Sequence, residues 1–345
     1  MRRERARQAF ADALMTRGRA TGWARVARIV LAPLLVAAIL WWADPRRVLH
    51  EVAGAQPAWV LAGLASSALA NFVSAQRWRA LAGWLGHRIG AFAAAGLYFR
   101  AVAINALLPG AIVGGDVYRA VALNRRGLPA LEAGLSVFLD RLSGLWMLVV
   151  LGAAAAAWGV ADATSTAVAL GPAALRAPGA GALAALAAGL LAAPALGIVV
   201  LRRLGASIAA QATTGNGWRA RVAVVARHRG AWRQYALQVV ASLGVQLLSI
   251  GAFALGGRAL GIELPAWSWA AVAVPVFLMA TLPVSFGGWG TREAAAVVAL
   301  SAFGVPAASA VGASVLYGLF ALAQALAGGV LLATDPRERR ATAPR

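Results

Sequence analysis

The chain has 345 residues, of which 61% are hydrophobic and 13% charged, with a mean hydropathy of +0.72. Soluble domains average about 45–50% apolar and about 25% charged, so a soluble globular protein is excluded, and the length allows roughly six to ten membrane spans at ~20 residues each. The formal charge of +20 comes entirely from arginine: the 32 basic residues include no lysine, and cysteine is absent. That leaves no disulfide, thiol or cysteine metal chemistry, and arginines gathered in loops between apolar runs follow the positive-inside rule rather than marking a nucleic-acid surface.

Residues Met1 to Arg28 carry eight arginines ahead of an apolar run, Ile29–Ala43, with no small-residue cleavage site after Trp41-Trp42. This reads as a basic cytoplasmic arm over residues 1–25 and a retained signal anchor. The first span is expected near Val26–Ala43 and the second near Pro57–Gln76, after which Arg77, Arg79 and Arg88 return the chain to the cytoplasm. A run from Ile89 to Leu108 breaks at Pro109–Gly115 and ends at Arg125-Arg126. If both flanks are cytoplasmic, this segment is a re-entrant hairpin with its tip at Pro109–Asp116. A full span followed by an amphipathic surface helix is the alternative.

A long span near Leu131–Val160 leads to an outer loop, and Gly181–Leu201 returns inward. Residues 202–233 hold seven arginines and no acid, the pattern of a cytoplasmic amphipathic linker. Tyr235–Gly257 goes out. Trp267–Pro283 descends, breaks at Val284–Gly290 and resumes over Thr291–Phe303 as a second hairpin. Pro306–Ala333 is the last span, followed by a cytoplasmic tail over residues 334–345. This topology places 24 arginines inside, four outside and four (Arg100, Arg119, Arg141, Arg292) at membrane depth. The expected fold is an all-α integral membrane protein with one translocase-like domain over residues 26–333. Six full transmembrane helices and two re-entrant helical hairpins form an inverted repeat, with both termini cytoplasmic.

A charge at the bilayer centre costs at least about 2.5–3.5 kcal/mol. Arg100, Asp116, Arg119, Asp140, Arg141, Arg292 and Glu293 must therefore face one another, a cavity or a ligand. Four arginines against three acids leave one net positive charge, and the planar guanidinium fork suits phosphate or carboxylate. A site for an anionic group is one reading. Structural ion pairs, Asp140 with Arg141 or Asp116 with Arg119, are the other.

Gly114-Gly115 and Gly287-Gly288 each precede a helix start, where glycine permits positive φ and close approach and the helix N-terminus attracts anions. Close helix packing accounts for Gly114-Gly115 equally well, and Asp116 and Glu293 suit the same N-termini as caps. Asn105 and Tyr118 either hydrogen-bond a headgroup or satisfy freed backbone, and Trp289 is placed to line a lipid path. His50, His87 and His228 are scattered, and there is no Walker A, HExxH or GxSxG sequence. The expectation is a protein that is not an enzyme and that uses no cofactor or metal.

Three motifs in order, Leu108-Pro109…Gly114-Gly115-Asp116…Arg119, Asp140-Arg141…Gly144-Leu145 and Pro283…Gly287-Gly288…Gly290…Arg292-Glu293, resemble the lysylphosphatidylglycerol synthase transmembrane region family. That region is the flippase domain of the multiple peptide resistance factor. In the full-length synthase a cytosolic aminoacyl-transferase domain follows; this sequence stops at Arg345, so lipid aminoacylation is not among the activities expected from the resemblance. The resemblance implies re-entrant helices and movement of a lipid between leaflets of a bacterial inner membrane. The expected partner is a membrane lipid with an anionic headgroup, with no nucleic acid, and with a homo-oligomer or a lipid-synthesis enzyme as a further association. Transport of a small soluble anion, or a non-transporting role beside a lipid-synthesis or glycosyl-transfer complex, are the alternatives.

Overall fold

The structure is a computed structural model that describes residues 45–107, 114–162, 179–211, 230–281 and 288–334. The expected first span, the outer loop, most of the basic linker, the tail and the Leu-Pro portions of both breaks lie outside the described residues, as does Gly287. Among the described residues there are ten helices and no strand. They are α1 (Pro45–Ala53), α2 (Pro57–Trp84), α3 (Ala91–Leu107), α4 (Gly114–Asn124), α5 (Ala130–Asp162), α6 (Ala180–Gln211), α7 (Ala231–Ala259), α8 (Ala266–Thr281), α9 (Thr291–Ser301) and α10 (Ala307–Ala333). Helix is the form these sequences must take, because hydrocarbon offers no partner for an open backbone amide.

Five helices, α2, α5, α6, α7 and α10, are long and apolar enough to cross a bilayer, which makes this a multi-pass membrane protein. The short α3 and α4 have 17 and 11 residues, and α8 and α9 have 16 and 11. At 1.5 Å per residue these are about 25 Å and about 16 Å long, short of the ~30 Å hydrocarbon layer. Each short helix packs against its successor, α3 on α4 and α8 on α9, the folding-back expected of the two broken segments.

Three features depart from expectation, the first being that α6 runs on to Gln211, so residues 202–211 of the expected linker continue the helix. The second span does not stop at Gln76: α2 continues through Arg77 and Arg79 to Trp84, so Arg77 lies inside the bundle rather than in a loop. A short helix, α1, also occupies the stretch after the first span and packs on α10.

The two halves repeat each other. The order α2, α3–α4, α5 is matched by α7, α8–α9, α10, and the packing follows the match. α3 lies against α10 as α8 lies against α5, α4 against α5 as α9 against α10, and α1 against α10 as α6 against α5. α2 and α7, the equivalent helices, pack on each other along most of their length. They run antiparallel: Arg77 bonds Ser242, Ser66 bonds the Leu248 carbonyl, and the Gln56 amide at the foot of α2 bonds the carbonyl of Ala259 at the end of α7. Equivalent helices that cross in opposite directions define an inverted repeat, with its pseudo-twofold axis in the membrane plane.

Small residues set the distances between helices, as is usual where lipid removes the hydrophobic drive for association. Gly63 of α2 lies under the Phe320 ring, Gly257 of α7 under Trp269, and Gly328 of α10 against the Phe99 carbonyl of α3. Large apolar side chains such as Leu61, Phe92, Phe138, Val240 and Leu326 are exposed around the outside, where lipid would meet them. A methyl group at Gly328 would collide with the α3 backbone, whereas one at Gly329 meets nothing within 4 Å. Gly328→Ala should therefore lower thermal stability in detergent by about 1–3 kcal/mol, and Gly329→Ala should leave it unchanged.

Candidate functional site

The repeat brings the described flanks of the two breaks, Ala106 and Asp116 of one and Thr281 and Trp289 of the other, to one place. A cavity of about 290 Å³ opens between them, walled by α3 and α4 from one half, α8 and α9 from the other, and by α2, α5 and α10. Arg119, Arg141 and Arg292 all line it, together with Asn71, Tyr98, Asn105, Asp116, Thr281 and Trp289. Arg119 stands four residues after Gly115, and Arg292 stands four after Gly288. The two arginines are thus equivalent positions on equivalent helices, meeting across the pseudo-axis.

Each is held by a different set of partners. Arg119 is 2% exposed. Its Nη1 donates to Asp140 Oδ2 and its Nη2 to Asp116 Oδ1, both at 2.8 Å. The guanidinium also lies over the rings of Tyr98 (4.7 Å) and Trp78 (5.2 Å), where the π faces favour a cation. Asp140, 1% exposed, is shared. Its Oδ1 accepts from Arg77 Nε at 2.9 Å, while Arg77 Nη2 donates to the Asp140 carbonyl at 3.0 Å and Nη1 to Ser242 Oγ at 3.1 Å. Arg141 turns away from its neighbour Asp140 and grips Asp116 instead, Nε to Oδ2 at 2.9 Å and Nη2 to Oδ1 at 3.1 Å. Its side chain keeps 40% exposure, the most accessible cation of the group. Helices α2, α4, α5 and α7 are tied by this one chain of charge.

In the second half Arg292 and its neighbour Glu293 pair directly, with Arg292 Nη2 2.6 Å from Glu293 Oε1. Ser314 of α10 accepts from Arg292 Nε at 3.0 Å and donates to Glu293 Oε1 at 3.0 Å. Glu293 Oε2 accepts the Gly290 amide at the start of α9, so the acid caps its own helix. Trp289 lies beneath the Arg292 guanidinium at 4.7 Å. Gly318 of α10 makes room for both, since a side chain there would strike Arg292 and Trp289.

The sequence-derived residues divide accordingly. Asp116, Arg119, Arg141, Arg292 and Asn105 line the cavity, and Asp140 and Glu293 stand behind it as counter-charges. Arg100 does not join them: its Nε donates to the Leu331 carbonyl at 3.2 Å, and its place in the charge balance is taken by Arg77. Of the proposed ion pairs, Asp116 with Arg119 is present; Asp140 pairs across helices with Arg77 and Arg119 rather than with Arg141. Asn105 Oδ1 accepts the Gly115 amide at 2.7 Å, so it satisfies freed backbone. Gly115 is packed against the Ala101 carbonyl, which supports the close-packing reading, and Gly114 opens α4 without lining the cavity. Gly288 has φ +81° and no room for a side chain beside Ala280. The amides of Gly115 and Gly290 thus have protein acceptors, and the guanidinium groups of Arg119, Arg141 and Arg292 are the cationic donors lining the cavity.

The transmembrane region of lysylphosphatidylglycerol synthase, as a family model, matches residues 29–329, spanning both halves and every arginine of the site. The chain belongs to this family. It matches no protein among those with curated functions. Within the lysylphosphatidylglycerol synthase transmembrane region, then, the residues that sequence reasoning missed here are Arg77, Trp78, Tyr98, Ser242, Ser314 and Gly318. Arg77 had a signal: Ser67, Ala70, Ser74, Arg77 and Leu81 recur at helical spacing and form one buried face of α2.

Breaking a buried pair by removing one partner costs about 3–5 kcal/mol. Asp140→Asn leaves Arg77 without a carboxylate and Arg119 with Asp116 alone, and should destabilise the protein by that amount in detergent unfolding. Arg141→Gln leaves Asp116 its bond to Arg119 and should cost less than about 1 kcal/mol. Equal effects of the two substitutions would contradict the shared role of Asp140.

Proposed function

We propose that this protein is a flippase-like translocase that moves an anionic, phosphate-bearing lipid between the leaflets of a bacterial inner membrane. The reading is carried by Arg119 and Arg292, equivalent residues of two inverted halves, facing one cavity at the point where both half-helices break. Counting Arg77, Arg119, Arg141 and Arg292 against Asp116, Asp140 and Glu293, the site keeps one net positive charge. A phosphate brought here meets guanidinium donors from both halves, and charge-assisted bidentate bonds of this kind are strong where water is scarce. The acyl tails stay in the surrounding hydrocarbon, and alternating access comes from rocking one repeat against the other about the fixed site. Family membership supports a lipid as cargo. Arg79, Arg88 and Arg233 share one cavity at the joined ends of α2 and α7, while Arg258 lies over Trp59 at the opposite ends. The arginine-rich end is taken as cytoplasmic, which leaves both termini on that side.

The test is translocation of fluorescent phosphatidylglycerol in liposomes reconstituted with purified protein. Arg141→Gln and Arg292→Gln should each slow transfer on the order of tenfold to a hundredfold, the loss of one or two charge-assisted hydrogen bonds, while circular dichroism and melting of Arg141→Gln stay at the wild-type values. Wild-type transfer by both variants would remove the cavity from the mechanism. Gly318→Val, which drives a side chain into Arg292 and Trp289, should block transfer without altering any charged residue.

A further inference from the structure

A second basic cavity lies outside the central site. It has a volume of about 660 Å³ and sits where the end of α2 meets the start of α7. Arg77, Arg79, Arg88 and Arg233 line it, and no acidic residue does among those described. Arg77 is committed to Asp140. Arg79, Arg88 and Arg233 are exposed and form no ion pair with described residues. Between them stands Gln234, only 7% exposed, whose side-chain nitrogen has no acceptor among the described residues. Gly230 and the start of α7 form part of the same wall, with no side chain capping that helix, so its dipole adds to the positive field.

An apolar cavity of about 250 Å³ adjoins it; Trp84, Gln234 and Gln238 belong to the walls of both. Pro194 of α6 lines the apolar cavity. Pro194 inside α6 has no N–H for the carbonyl of Leu190, which accepts instead from Trp146 Nε1 at 2.6 Å. The adjacent Leu191 carbonyl accepts from the Tyr235 hydroxyl at 2.6 Å. Both aromatic rings then stand as walls of the cavity, with Leu81 and Ile198 completing an apolar lining.

The geometry points to a binding site for one anionic phospholipid of the cytoplasmic leaflet, distinct from the translocation cavity. Arg79, Arg88 and Arg233 hold the phosphate, Gln234 donates to a headgroup or ester oxygen, and one acyl chain enters the cavity beside Pro194. A soluble anion has no use for the apolar arm, which commits the site to a lipid. The assignment of leaflet rests on the orientation given under the proposed function; the binding chemistry does not.

The experiment is a native mass spectrometry titration of the full chain in detergent with dioleoylphosphatidylglycerol, with dioleoylphosphatidylcholine and glycerol phosphate as comparison probes. The phosphatidylglycerol adduct should weaken on the order of tenfold to a hundredfold in the triple variant Arg79→Gln, Arg88→Gln, Arg233→Gln. It should weaken also in Ile198→Trp, which fills the apolar arm with every charge in place, and persist in the central variant Arg141→Gln, Arg292→Gln. Glycerol phosphate should not displace it. Unchanged binding in both the triple variant and Ile198→Trp overturns the site, as does displacement by glycerol phosphate or loss of the adduct only in the central variant. A wild-type protein that binds this lipid but moves none would overturn the translocase reading alone. A wild-type protein that transfers this lipid but forms no such adduct would overturn only this inference.

Discussion

One carboxylate organises the molecule. Asp140, buried on α5, accepts from Arg77 of α2 and Arg119 of α4 at once. A lone charge at this depth would be several kcal/mol unfavourable; Asp140 offsets that cost for Arg77 and, together with Asp116, for Arg119. The requirement fixes where α2, α4 and α5 stand relative to one another, and Arg77 extends it to α7 through Ser242. The position of Arg119 at the cavity follows from that lattice rather than from packing alone. A guanidinium fixed in advance loses little freedom when it binds an anion, which is the physical content of a preorganised site.

Most of the architecture could be read from charge and hydropathy. The long apolar runs became α5, α6, α7 and α10 with ends within a few residues of expectation, except that α6 extends to Gln211, because a bilayer leaves a twenty-residue apolar run few other options. The inverted repeat followed from counting arginines on either side of each break. What failed was the assumption that arginine ends a span. At Arg77 the apolar run stops but the helix does not, since one face of α2 is buried against protein that supplies a counter-charge. Hydropathy averages over all faces of a helix and so cannot distinguish an arginine at the surface from one pointed at a buried aspartate.

Pairing within the site was less legible for a related reason. Adjacent opposite charges such as Asp140 and Arg141 invite a local ion pair, yet neighbours on a helix point about 100° apart. These two find their partners on other helices, Arg141 on Asp116 and Asp140 on Arg77 and Arg119, whereas the equally adjacent Arg292 and Glu293 do pair with each other. The aromatic platforms under the arginines, Tyr98 and Trp289, likewise depend on tertiary placement. By contrast, the equal four-residue offset from Gly115 to Arg119 and from Gly288 to Arg292 was present in the sequence. It gains meaning only once the two helices are known to be equivalent.

The symmetry that brings Arg119 and Arg292 together is broken in how they are restrained. Arg119 is anchored by acids from two helices, one of them contributed by a different segment of its own half. Arg292 is anchored by its immediate neighbour Glu293 and by a serine of α10. Moving α9 carries its counter-charge with it, whereas moving α4 against α5 must stretch a buried ion pair. The two short helices are therefore restrained unequally: α9 carries its own counter-charge, whereas α4 is held to α5 by a buried ion pair.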